Sequence, residues 1–419
     1  MRREVRVRVC CVGALGVMSI LTGTAARASG FQLQEQTASG LGIAYSGMAA
    51  ATQDAGTVFW NPAGMSFMSG SDFSVAVQYI RPSFSFNSAG STYDVLGNGG
   101  DGGVSAWVPA LYARTTLNPK LSVGLAVNVP FGLSTNWIGE WVGTFHANKS
   151  YVETVNINPA VSYKVTDFLS VAAGVSYQYL KAIFTNGVTP LIPSAQGRLE
   201  GDDWTWGWNL GALADFGQGT RLGVTYRSTT SYHVDATLSF NNPALAPLAS
   251  GAEAGIRLPD VFSVGVSHQF TSRVRVLADY TRTGWNTIRS LTVVATSGPN
   301  SGQPVLNDAL NFDNSWRLGV GAEYQLNRPW LLRLGVAYDR TPVSDTFRTP
   351  RLPDEDRKWL AFGARYTPDT RWSVDFGYAY LWVQDGRSEL TPPGPVPGSL
   401  VGTYNAKTSI LGIQASYHL

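Results

Sequence analysis

The side chains that could do chemistry in these 419 residues are few. There are four histidines, His146, His233, His268 and His418, and two cysteines, Cys10 and Cys11. No histidine stands in an HExxH pair or a metal-ligand spacing, and no serine sits in a GxSxG elbow. A zinc hydrolase and a lipase built on a Ser–His pair both lack the base their chemistry needs. No metal, no cofactor and no enzyme activity are expected. What does recur is paired charge: Arg275, Asp279, Arg317, Glu323, Arg333, Asp339, Arg365 and Asp375 fall on one parity of strand-like segments. Such a set can brace a polar interior with opposite charges, or one or two Arg can hold a ligand's carboxylate, for which the planar guanidinium is suited. The residues leave both roles open.

The compartment is set by the opening. Arg2, Arg3, Arg6 and Arg8 precede an apolar stretch that ends at Ala26-Arg27-Ala28, which reads as a signal peptide over residues 1–28 with Ser29 as the new N-terminus. Both cysteines fall inside it, so the mature chain has no disulfide and no thiolate site. Removing its five Arg and one Glu from the 31 basic and 29 acidic residues leaves 26 and 28. A near-neutral chain of this kind has no electrostatic footprint for nucleic acid. Charged residues make up only 14%, while Gly (45) and aromatics (12%) are plentiful. No long apolar run follows the opening, which excludes a helical membrane protein and leaves a membrane barrel.

The elements that must carry these residues are strands. In "WSVDFGYAYLW", Trp372, Val374, Phe376, Tyr378, Tyr380 and Trp382 alternate with Ser373, Asp375, Gly377, Ala379 and Leu381, so period 2 puts the large residues on one face. Aromatics at both ends with apolar residues between match a lipid-facing strand. "DWTWGWNLGALADF" and "LSVAAGVSYQY" repeat the rhythm. Fourteen such segments are predicted, at 70–86, 104–116, 120–130, 150–164, 168–184, 199–216, 220–238, 256–270, 274–294, 312–325, 330–341, 357–367, 371–384 and 406–418. Tight turns alternate with long connections at 87–103, 131–149, 185–198, 239–255, 295–311, 342–356 and 385–405. Short turns on one end and long loops on the other predict an all-β fold, a transmembrane antiparallel β-barrel of about 14 strands over 70–419. A secreted β-sandwich would not need that asymmetry. The last strand ends on Leu419 with Leu411, Ile413, Ala415 and Tyr417 on the same face, where it would close against the first.

Two stretches do not fit the strand rhythm. "VTPLIP" and "PALAPLA" are apolar in loops that should face water, so Val188, Leu191, Ile192, Leu245 and Leu248 are candidates for an extracellular apolar groove, or for a lid in which the two loops pack on each other. Residues 29–69 are rich in small residues, carry only Glu35 and Asp54 as charges, and contain "SGMAAATQDAG", which favours a short helix. Asn61-Pro62 turns the chain before the first strand. A barrel of this size is wide enough inside to hold a plug, and 29–69 is the natural one.

The stretches "SGFQLQEQTASGLGIAYSG", "DAGTVFWNPAGM", "VNVPFGLSTNW", "RLPDVFSVGVSHQF", "DYTRTGWN" and "RLPDEDRKWLAFGARY" occur in the order found in the FadL family of outer-membrane transporters for long-chain fatty acids and other hydrophobic compounds, which this sequence resembles over essentially the whole mature chain. The resemblance implies a 14-stranded barrel with an N-terminal hatch. It implies that Gly30, Phe31 and Leu33 reach a ligand pocket, and that Asn61, Pro62 and Ala63 form a hatch motif near a kink in the third strand. That kink, which would open the wall sideways, maps to Ala126, Asn128 and Pro130. The expected function is passive uptake of long-chain fatty acids or similar hydrophobic molecules, delivered to outer-membrane lipid by a monomer. Uptake of aromatic or other hydrocarbons is the first alternative and a water-filled general porin the second.

Overall fold

The computed structural model describes residues 30–392 and 396–419. The expected signal peptide, with Cys10, Cys11 and the cleavage site before Ser29, lies outside the described residues. Fourteen wall strands follow one another: β1 (Ser71–Ser88), β2 (Ala106–Asn118), β3 (Leu121–Asn128, resuming at Gly132–Asn136), β4 (Lys149–Lys164), β5 (Leu169–Thr189), β6 (Ile192–Asp215) and β7 (Thr220–Arg227 and Thr230–Phe240). Then come β8 (Ser250–Leu258 and Val261–Gln269), β9 (Val274–Thr283 and Ser290–Ala295), β10 (Pro304–Ala309 and Ser315–Gln325), β11 (Trp330–Asp339), β12 (Arg357–Tyr366), β13 (Trp372–Val383 and Gly386–Leu390) and β14 (Leu400–His418). Each pairs antiparallel with its neighbours, and β14 returns to β1 from Asp72↔His418 to Ser88↔Gly402, so the sheet is closed.

Alternation builds the wall. Along β13, Trp372, Phe376, Tyr378 and Trp382 are exposed to the lipid side, while Ser373, Asp375 and Ala379 are buried on the lumen side. The aromatics meet across strands, Tyr177 stacked on Trp204 at 4.5 Å and Trp372 tilted against Tyr417 at 4.7 Å, where amphipathic rings suit a membrane interface. Strands run further than the sequence rhythm predicts. The long connection expected at 185–198 is instead the continuation of the β5–β6 hairpin, paired to Thr189↔Ile192. Burial still alternates along the extension, but its buried face includes Ala195 and Gly197, too small to read as an apolar stripe, and so the periodic signal stops before the ladder does.

Residues 30–69 leave the strand pattern and pack against the inward side of the wall. They form α1 (Ala38–Leu41), capped by the Thr37 hydroxyl accepting from Gly40 N–H, then a 3-10 turn at Met48–Ala50, α2 (Thr57–Trp60) and a 3-10 helix at Pro62–Phe67. The helix expected within 46–56 is thus only a single tight turn, with α2 beginning one residue later. Small residues let this chain lie directly on the wall. A Cβ on Gly223 would stand 1.8 Å from the Ala49 carbonyl oxygen, and one on Gly335 would stand 2.1 Å from the Ile43 carbonyl carbon. Only glycine permits either approach.

The lumen charges hold this segment as well as one another. Arg317 pairs with Asp279 at 3.1 Å, Arg333 with Glu323 at 2.9 Å and with Asp375, and Arg365 with Asp375 at 2.8 Å. From the interior segment, Asp54 meets Arg365 at 3.0 Å, Gln53 Nε2 donates to both Glu323 oxygens, and Gly47 N–H donates to Asp279. Buried charge is tolerated because each member is paired.

Candidate functional site

The third strand is interrupted. Asn128 pairs with Asn156 and Gly132 with Glu153, so three residues (129–131) stand opposite two (154 and 155) on β4. One extra residue bends a strand out of its ladder and switches which parity faces inward. Ser122, Ala126 and Asn128 are buried before the break, Thr135 is buried after it, and Leu133 packs on the inner apolar cluster. Pro130 supplies no N–H, and the Thr154 hydroxyl takes over at the break, accepting from Phe131 N–H at 3.0 Å and donating to Phe131 O at 2.8 Å. The other side of the break is left unpaired: β2 meets β3 only from Leu111↔Val127 downward, so Ala106–Ala110 have a strand partner in β1 alone.

The start of the interior segment takes that place on the inner side. Leu33 N–H donates to Pro130 O at 2.9 Å, Gly132 N–H donates to Phe31 O at 3.0 Å, and Gln32 bridges Phe131. Gln36 Nε2 donates to Val129 O at 2.8 Å, and its oxygen accepts from Asn128 Nδ2 at 2.7 Å, which ties Asn128 to Asn156 in turn. Gly30, in the left-handed region at φ +67°, donates its N–H to Asp354 at 2.9 Å and accepts from Arg357 at 2.9 Å. Phe31 packs on Trp285 at 4.7 Å and on Phe131 at 6.1 Å.

Between them lies a cavity of about 460 Å³. Its inner lining includes Gly30, Phe31, Leu33 and Glu35, and its outer lining Val75, Trp107 and Leu111, which face lipid. The cavity is therefore lined by residues of both faces of the wall, beside the stretch where the ladder is missing. Arg357 and Asp354 form its charged end, paired at 2.6 Å. Burial pushes the Glu35 carboxyl up to about 7, against the opposing pull of its own backbone N–H and of Arg357.

The predicted site residues divide accordingly. Gly30, Phe31, Leu33 and Asn128 line this cavity, and Pro130 sits in the break that bounds it. Ala126 lies in the regular ladder below, paired between Tyr112 and Asn158. Asn61 and Ala63 bond to strands other than β3: Asn61 Nδ2 donates to Ala212 O at 3.0 Å and to Ala49 O at 2.7 Å, and Ala63 O accepts from Ser170 at 2.7 Å and from Ser162. They anchor the segment to β4–β6, nearer the tight turns, because a Pro-N1 helix capped by Asn61 points its carbonyls at that wall. Of the groove candidates, Val188 and Leu248 line a second cavity, of about 810 Å³, among the long loops, with Phe145, Leu199 and Phe240. Ile192 and Leu245 are half-buried near it, and Leu191 is 90% exposed at the hairpin tip. Sequence reasoning missed Asp354, Arg357 and Glu35. It also missed Pro109, a proline inside β2 that marked a one-sided strand.

At the tight-turn end, Ser373 Oγ lies 3.5 Å from His418 Nε2, and His418 Nδ1 meets Asp72, which Arg114 also holds. The order imitates a hydrolase relay, yet Ser373 is 2% exposed and its hydroxyl is beyond the roughly 2.6–3.2 Å reach of a working base. The cluster ties β1, β2 and β14 together.

Comparison with known proteins places this geometry. The chain is 28% identical over 424 residues to the long-chain fatty acid transport protein of Escherichia coli (strain K12), covering 91% of this chain and 93% of that protein. It is 29% identical over 412 residues to outer membrane protein P1 of Haemophilus influenzae, covering 88% and 89%. Among solved structures it resembles a Pseudomonas aeruginosa FadL homologue at a TM-score of 0.84 and 24% identity, over 93% of this chain and all of that one. It also resembles the Ralstonia pickettii toluene transporter TbuX at 0.67 and 19%, over 92% and 99%. The model of the outer membrane protein transport protein family (OMPP1/FadL/TodX) matches residues 19–419, and to that family of outer-membrane barrels this chain belongs.

Proposed function

We propose that the chain takes up long-chain fatty acids or similar hydrophobic molecules passively, from an outer apolar cavity through an inner pocket and out sideways into the membrane. The observation that carries the reading is the cavity at the break in β3, lined on one side by residues 30–33 and Glu35 and on the other by lipid-facing Val75, Trp107 and Leu111. A lipophilic molecule that leaves water for such a path gains about 0.8 kcal/mol per buried methylene, so transfer to lipid is downhill without coupled energy. Residues 30–69 act as the hatch. The segment that bonds to residues 129–132 also lines the pocket, so its displacement would alter both together.

The fatty acid transport proteins among the relatives, similar over about nine-tenths of their length, favour a long-chain substrate. Uptake of aromatic hydrocarbons is the competing reading, supported by the likeness in fold to toluene transporters. A general porin fits less well, because the interior is occupied by the N-terminal segment. The test is uptake of labelled oleate and of labelled toluene by Gram-negative cells that lack their own transporter and express this chain. Oleate uptake supports the proposal, toluene uptake alone shifts the substrate to hydrocarbons, and uptake of neither overturns it.

A further inference from the structure

We propose that Arg81, Lys407 and Lys358 form a binding site, on the lipid-facing side of the wall, for the phosphorylated head group of an outer-leaflet glycolipid of the lipid A type. All three side chains are exposed and fall on the outward parity of their strands. Arg81 lies opposite Ser409 and Lys407 opposite Ser83, so on β1 and β14 the two cations are diagonal neighbours about 7–8 Å apart, with a small serine beside each. Lys407 also lies opposite Trp382, and Trp382 opposite Lys358, which sets the two lysines on either side of the indole at about 10 Å. Tyr380 packs on Trp382 at 4.7 Å, one level lower. Among the described residues, none of the three cationic side chains has an ion-pair or hydrogen-bond partner.

Their height on the wall says what they meet. Trp372 and Trp382, near the two ends of the first part of β13, stand roughly 26 Å apart along the membrane normal at about 3.4 Å per residue and a tilt of about 40°, which matches an apolar band of about 25 Å. Lys407 and Lys358 are level with Trp382, at the long-loop rim, where hydrocarbon gives way to head groups. Other outward cations at this rim are answered by the protein: Lys181 by Glu200 at 2.8 Å and Arg282 by Asp260 at 3.1 Å. Two acids of the loops above are engaged elsewhere, Asp101 accepting from Phe84 N–H at 2.8 Å and Asp385 from Asn405 at 2.6 Å. The negative charge that matches this cluster therefore comes from the membrane. A phosphate accepts the guanidinium fork in bidentate fashion and the ammonium as a point charge. The Arg81–Lys407 pair and Lys358 beyond the indole are two separate cationic points, which suits a head group with two phosphates better than a phospholipid with one. The acyl chains would then lie along exposed Tyr378 and Phe376.

The experiment titrates the purified chain in detergent micelles with three lipids and counts bound copies by native mass spectrometry: lipid A carrying both phosphates, the same lipid after phosphatase treatment, and phosphatidylglycerol. The wild type is expected to bind the intact lipid A about tenfold or more tightly than either of the others, and the variant Arg81→Gln/Lys358→Gln/Lys407→Gln to bring all three within about twofold. Equal binding of intact and dephosphorylated lipid A by the wild type overturns the site, and that arm needs no variant. Phosphatidylglycerol bound as tightly as intact lipid A overturns it too, since that outcome is a general attraction for anionic lipid. A preference that survives in the triple variant places the lipid elsewhere and likewise overturns the proposal. The control, Arg273→Gln/Arg328→Gln/Arg371→Gln, removes the same charge from the exposed tight-turn end and should keep the wild-type preference. An equal loss there would trace the effect to net charge and overturn the assignment.

Discussion

Single residues control how firmly the interior segment is held, and two of them can be tested directly. Asn61 spends its amide on Ala49 and Ala212 and its oxygen on Ala63 N–H, so Asn61→Ala removes a cap and two links to the wall. The expected cost is about 2–3 kcal/mol, with faster hydrogen exchange over residues 57–68 and an intact barrel. Gly211→Ala should do the same from the other side, because its new Cβ would fall 2.1 Å from Asn61 Oδ1. Equal exchange in wild type and both variants would rule out this anchoring. Glu35 adds a dependence on pH. Exposed, it titrates near 4.5, and packed beside the cavity it titrates near 7, raised by burial. The packed state therefore holds the proton more tightly, so its advantage is full below 4.5 and is lost as pH rises through 7. At about 1.4 kcal/mol per pKa unit, the contribution reaches a few kcal/mol at most. Spin labels or exchange at residues 31–36 should report looser packing at pH 8.5 than at pH 5.5. Glu35→Gln should flatten that difference, and a wild-type profile flat across the range would refute the assignment.

At the level of elements, the break in β3 is one residue of excess, which makes it removable. Deleting Pro130 leaves two residues opposite 154 and 155, restores a continuous ladder with β4, and returns residues 131–136 to the partner that β2 lacks. The deletion should give an assembled, heat-modifiable barrel whose oleate uptake falls by about tenfold or more, since a closed wall removes the proposed exit. Uptake at the wild-type level would show that substrate leaves elsewhere. The same element marks what the sequence could disclose. Period-2 alternation located all fourteen strands because lipid on one face and a polar lumen on the other impose it. It did not disclose the length of the β5–β6 hairpin, where the buried face is carried by residues as small as Ala195 and Gly197 and so leaves little apolar alternation to read. Pro130 and Asn128 drew attention to the break in β3, yet the unpaired edge of β2 depends on which strands are neighbours in space, and Pro109 alone hinted at it. Asp354 and Arg357 were invisible for a related reason. Their meaning comes from Gly30, 324 positions away from Asp354 in the chain.

For the whole molecule, the question is what holds the interior segment inside a barrel this wide. The wall charges form two kinds of link: strand-to-strand pairs such as Arg333–Glu323 and Arg365–Asp375, and wall-to-interior contacts through Asp54, Gln53 and Gly47. The first kind does not need residues 30–60, whereas the second kind disappears with them. The closed sheet, including seventeen residue pairs between β1 and β14, carries its own backbone hydrogen bonds, which in lipid is what keeps a barrel assembled. Removing residues 30–60 should therefore leave a folded barrel with a water-filled lumen lined by paired charge. In planar bilayers the truncated chain should show large, steady conductance steps, and the full chain few or none. If the full chain conducts as steadily as the truncated one, the interior segment is no barrier and the porin reading returns. A truncated chain that assembles and stays silent would mean that the loop clusters around Trp137, Trp141 and Tyr404 close the outer mouth by themselves. The same loops shield the outer cavity, so a silent truncation would move the gate from the inside of the barrel to its rim.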